Sequence, residues 1–159
     1  MDAPTFLSPA ARHAPGDFLI RPAPLGSALL IAGNDFWLKV HAPGVLSGKL
    51  SDVGLCFFFP LLIASGAEWL AWLLLDRGTR FTPRPAIARA SVALAALYYT
   101  SLKLFDEIAS LHVTLLSSLF PGHHFAAVAD GTDLVCLPIF VLAFRYLARA
   151  CELEPAKGS

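Results

Sequence analysis

Apolar residues gather in four long runs separated by turn-forming or charged stretches. A spanning helix needs about 20 mostly apolar residues. The clearest run covers residues 50–75, with Phe57-Phe58-Phe59 and the string from Trp69 to Leu75. Pro60 lies inside it, where its missing backbone donor predicts a kink. A second run covers 86–104 and opens after Pro85, a favoured first-turn residue. A third covers 133–151, with Asp130 or Thr132 placed to cap its start. The earliest, 24–41, carries Asn34, Asp35 and Lys39 and is the most polar of the four. Between the second and third runs, Ile108, Leu111, Leu115, Leu116 and Leu119 recur at helical spacing. Pro121-Gly122 ends that segment, too short for a span, so 106–120 reads as an amphipathic or re-entrant helix. The pattern predicts an all-α membrane protein: four transmembrane helices plus this short outer-side helix.

Composition sharpens this picture. The 159 residues are 56% hydrophobic and 15% charged, with mean hydropathy +0.62. Soluble domains carry about 25% charged residues, so a lipid bilayer is the expected partner. Twelve basic and twelve acidic residues cancel, which excludes a broad basic surface for nucleic acid. Cys56, Cys136 and Cys151 have neither zinc nor redox-pair spacing, and no cofactor is expected. Residues 1–23 hold Pro4, Pro9, Pro15, Pro22, Asp2 and Asp17 and lack a signal-peptide core. They are expected to form a mobile cytoplasmic tail, with 18–20 touching the membrane surface. Residues 152–159 form a second tail.

Positive charge predicts orientation. With both termini inside, all eight arginines and Lys157 fall at the inner side. Lys39, Lys49 and Lys103 fall outside. Four spans with cytoplasmic N- and C-termini are therefore expected.

Charged residues within membrane segments are costly and require a reason. Asp35 and Lys39 are four apart with the acid first, the better order for a helix pair. Near mid-bilayer, with Asn34, they read either as an ion or proton site or as a neutralised pair. Lys49 and Asp52 open the second span. Lys103 precedes Asp106 and Glu107 at helical spacing, a pattern for interfacial salt bridges. Asp130, Thr132 and Asp133 open the last span as caps or as a cation site. If the four helices form one bundle, these groups converge on an outward-facing polar cavity. Glu68 and Arg145 lie at similar depths near the inner side, predicting a structural ion pair. His123-His124 with Asp130 or Asp133 lacks a recognisable metal spacing, so no metal site is expected.

Two strings carry a resemblance. One runs from Asn34-Asp35-Phe36-Trp37-Leu38-Lys39 through Pro43-Gly44 and Gly48-Lys49-Leu50-Ser51-Asp52 to Phe58-Phe59-Pro60-Leu61-Leu62. The other is Asp130-Gly131-Thr132-Asp133-Leu134. Together they resemble a group of small, uncharacterised bacterial multi-pass membrane proteins, in which a Pro is expected where Gly131 stands. The resemblance spans most of 30–145 and implies an inner-membrane placement without an activity.

Three roles follow as expectations. The first is a small channel, transporter or transport subunit, with an ion or small solute held by Asn34, Asp35, Lys39, Lys49, Asp52, Lys103, Asp130, Thr132 and Asp133. The second is a structural or accessory subunit of a larger membrane complex or homo-oligomer. The third is a membrane-embedded enzyme.

Overall fold

The computed structural model describes residues 14–42, 44–75, 85–122 and 127–152. Of these, 88% are helical, and no strand occurs among them. A 3-10 turn, Asp17–Ile20, leads into α1 (Pro22–Gly33). A π-helical stretch, Asn34–Leu38, and a last turn, α2 (Lys39–His41), continue the same rod. Then come α3 (Val45–Leu75), α4 (Pro85–Leu104), α5 (Asp106–Leu119), a 3-10 helix (Gly131–Cys136) and α6 (Pro138–Glu152). The helices follow the apolar runs closely. The main departure is α3, which begins five residues earlier than the run and continues through Pro60.

The core has two storeys, both built from α3, α4 and α6. Leu61, Ala64, Ala88, Ala143, Leu147 and Ala150 pack at one end around Phe18. Cys56, Ala95, Tyr99, Cys136 and Phe140 pack at the other end. Neither storey takes a residue from α1, which lies against α3 instead. Gly54 allows that approach: a Cβ there would lie 2.7 Å from Ile31 Cγ1. In its place the Gly54 carbonyl accepts a 2.9 Å hydrogen bond from Ser27 Oγ.

Residues 14–21, expected in a free tail, are docked. Phe18 is buried, and its carbonyl accepts a 2.9 Å hydrogen bond from Tyr146 on α6. Gly16 sits at φ 72°, a conformation that favours glycine. A side chain on it would run into Ser65 of α3. Its N–H donates to Glu68 Oε2 at 2.9 Å. The tail docks because an aromatic ring and a buried carboxylate on α3 each gain a partner.

Large apolar side chains lie on the surface as well as in the core, and a few polar ones are buried. Asn34, Ser47, Ser65, Glu68 and Ser91 are buried, while Leu29, Phe36, Leu74, Leu97 and Val135 are each more than 60% exposed. Two helical stretches, Ser47–Leu75 and Gly131–Cys151, are long and apolar enough to cross a membrane. About a third of the 18-residue apolar window of each is buried in the molecule (33% and 28%).

Candidate functional site

Four charges from three elements meet at one end of the α3–α4–α6 core. Lys49 and Asp52 lie in the first turns of α3, Lys103 in the last turn of α4, and Asp133 in the first turn of the 3-10 helix. The last two positions complement helix dipoles, a cation at a C-terminus and an anion at an N-terminus. Lys49 does not, and Asp133 offsets it. Asp133 Oδ1 accepts from Lys49 Nζ at 2.8 Å, and Asp133 Oδ2 from Lys103 Nζ at 2.6 Å. Lys103 also reaches Asp52 Oδ2 at 2.9 Å. The order is Lys49–Asp133–Lys103–Asp52, alternating in sign and neutral in sum. Lys103, Asp52 and Asp133 side chains are only 14–17% exposed.

Neighbouring groups fix this clasp. Tyr99 lies one turn before Lys103, whose ammonium sits 5.6 Å from the centre of the Tyr99 ring. The Tyr99 hydroxyl donates to the Asp133 backbone carbonyl at 3.0 Å. Lys49 Nζ also donates to Thr132 Oγ1 at 3.1 Å. Asp130 acts as the N-cap, accepting from the Thr132 N–H at 2.8 Å. That hydrogen bond, with a second from the Thr132 side chain, holds the Asp130 carboxyl below the ordinary carboxylate range.

Asp35 and Lys39 form the expected pair, at 2.7 Å, with both side chains about two-fifths exposed. They lie against a different face of α3 from the one that carries the clasp. Ser51 Oγ donates to Asp35 Oδ1 at 2.6 Å. Asn34 Nδ2 donates to Ser51 Oγ at 2.5 Å and to the Ser47 carbonyl at 2.6 Å. Asn34 Oδ1 is buried with no hydrogen-bond partner among the described residues. Ser47 and Ser51, four apart on α3, thus serve α1 and the π-helical stretch, while Lys49 and Asp52 serve α4 and the 3-10 helix.

The sequence-predicted residues therefore separate into two groups rather than lining one cavity. The π-helical stretch abuts α3 at Ser51, so Asp35 shares the level of the clasp instead of lying below it. Lys103 turns inward and does not bond Asp106 or Glu107. Phe105 adopts an extended conformation that ends α4 and breaks the helical spacing. Glu68 and Arg145 do not meet: Glu68 is buried beneath Gly16, and Arg145 is exposed. Ala143 and Leu147 mark the buried face of α6, and Arg145, two residues from each, points away at about 200° of rotation.

His112 Nδ1 lies 2.6 Å from the Tyr98 hydroxyl and ties α5 to α4. His123 and His124 lie outside the described residues. Among the described residues no three His, Cys, Asp or Glu side chains gather as metal ligands. Sequence reasoning gave Tyr99, Ser47, Ser51 and Gly16 no part in the site. The Ser47–Ser51–Gly54 row of small residues on one face of α3 was a readable signal for the α1 contact. No family model matches the chain, and neither curated proteins nor solved structures give a match.

Proposed function

We propose that the chain is a four-span integral membrane protein of a bacterial inner membrane, with both termini cytoplasmic and α5 on the outer surface. Its role in this reading is architectural, as a structural or accessory subunit of a larger membrane complex. The large apolar side chains exposed on the surface support the membrane placement. At 31 residues, α3 is about 45 Å long, against about 30 Å of hydrocarbon. Hydrocarbon over 53–72 leaves the clasp, Asp35 and Lys39 at the outer interface. It brings Trp69 and Trp72 to the inner one, a level that suits tryptophan. The arginine asymmetry supports the orientation.

The alternating clasp carries the architectural reading. All four of its charges are engaged with one another across α3, α4 and the 3-10 helix, so it fastens helices and offers no spare charge to a solute. A single observation favours transport as a second reading. The buried, unpartnered Asn34 Oδ1 sits in a π-helical stretch, a feature frequent at functional sites.

Ion and proton flux in proteoliposomes separates the two, with wild type beside Asp35→Asn and Lys39→Met at matched insertion. The architectural reading expects no flux above protein-free vesicles from any of them. Wild-type flux that Asp35→Asn abolishes would overturn it in favour of transport.

A further inference from the structure

A groove runs between α1 with its π-helical extension and the outer half of α3. Its lining includes Ala28, Ile31 and Phe36 on one side, and Leu55, Phe58 and Leu62 on the other. Ala28 and Ala32, one turn apart, keep the α1 wall low. Phe59 closes its base, and its volume of about 420 Å³ is that of a long alkyl segment. Asp35 also lines it, and Lys39 follows one turn later.

This ion pair differs from the clasp in what it leaves open. Among the described residues Lys39 Nζ meets Asp35 alone, which uses one of its three donors. Asp35 accepts from Lys39 and Ser51 through Oδ1, and both side chains of the pair stay about two-fifths exposed, against 14–17% for Lys103, Asp52 and Asp133 of the clasp. A partly exposed ammonium and a partly exposed carboxylate therefore stand side by side beside an apolar groove.

We infer that this groove binds one membrane phospholipid with a phosphate and a primary amine in its headgroup, the phosphatidylethanolamine class. An acyl chain lies along Phe36, Leu55, Phe58 and Leu62. Lys39 contacts the phosphate, and Asp35 accepts from the ammonium. A choline headgroup offers Asp35 no N–H donor, and a glycerol headgroup offers no cation. The inference rests on the membrane placement proposed above, because it needs the groove to face hydrocarbon with Asp35 and Lys39 at the headgroup level.

Trp37 is 62% exposed beside Phe36 and can report occupancy. A Trp69→Phe, Trp72→Phe variant leaves it as the sole tryptophan. This protein is reconstituted into phosphatidylcholine vesicles containing a minority of brominated-chain lipid, with ethanolamine, choline or glycerol headgroups compared at equal content. Quenching of Trp37 should favour ethanolamine about threefold, the size expected of one exposed ionic contact. Asp35→Asn should erase that preference. Ala28→Phe, which fills the groove, should lower quenching by all three lipids. Equal quenching by the three headgroups, or a preference that survives Asp35→Asn, would overturn the lipid site and leave the membrane placement standing. No quenching by any brominated chain, in protein shown to be reconstituted, would overturn both.

Discussion

The two ends of the helical core are closed by opposite chemistry. At the end proposed to face outward, Lys49, Asp133, Lys103 and Asp52 alternate in charge over three elements. At the inner end one aromatic ring, Phe18, fills the space between Leu61, Ala64, Ala143 and Leu147. The outer closure is directional and mutually dependent: each charge is tolerable at low exposure only because its neighbours are present. The inner closure rests on apolar burial, with Gly16 and Tyr146 setting where the ring sits. Removing one outer member should fail abruptly, whereas trimming the inner ring should cost in proportion to the apolar volume removed.

The largest effect is expected from Asp133→Leu. It strips the shared acceptor from Lys49 and Lys103 and leaves the poorly exposed Lys103 with Asp52 alone. Breaking a buried pair in this way costs about 3–5 kcal/mol. Reversible unfolding in mixed micelles should show that destabilisation, and Lys103→Met should recover part of it by removing the stranded cation. A cost below about 1 kcal/mol, the range of exposed pairs, would remove the contrast between the ends.

Phe18→Ala comes next, at about 3 kcal/mol for a buried aromatic ring. Its second consequence separates the ends further: protease should cut the chain near residue 18 in the variant and spare it in wild type. Phe18→Leu should fall between the two, as graded packing requires. Wild-type protection in Phe18→Ala would show that the N-terminal segment is held by something other than the ring.

Acid supplies the smallest effect. The Asp130 carboxyl titrates below its usual range because the Thr132 hydrogen bonds favour its charged form. A depressed folded-state pKa adds stability above the unfolded pKa, and that increment is lost as pH falls through the folded value. Asp130→Ala should therefore lower stability near neutral pH and flatten its decline in the acid range below pH ~4. A parallel acid limb in Asp130→Ala and wild type would assign the cap no role in it.

Much of the secondary structure was legible in the chain. Run length and the flanking Pro85 and Pro121 located the helices to within a few residues, because burying or lipid-coating an apolar segment requires its backbone to bond internally. The Asp35–Lys39 pair was legible for a similar reason, since residues four apart on a helix are neighbours under any packing. Lys49, Asp52, Lys103 and Asp133 were legible as exceptions to hydropathy, but their pairing was not. Lys103 had closer partners in sequence, Asp106 and Glu107, until Phe105 ended the helix between them.

The sequence by itself determined which segments become helices, which residues are too polar for an apolar environment, and which local pairs form. These depend on spacing along one helix, which the order of residues fixes. Only the tertiary structure decided that α1 packs outside the core, that Asp35 and Asp52 face different neighbours, that Arg145 turns away from Glu68, and that Phe18 leaves the tail to become core. Each depends on the rotation of one helix against another. Such a rotation is set by small contacts such as Ser27 on Gly54 and Gly16 on Ser65, and a turn of about 100° per residue sends adjacent side chains to different partners.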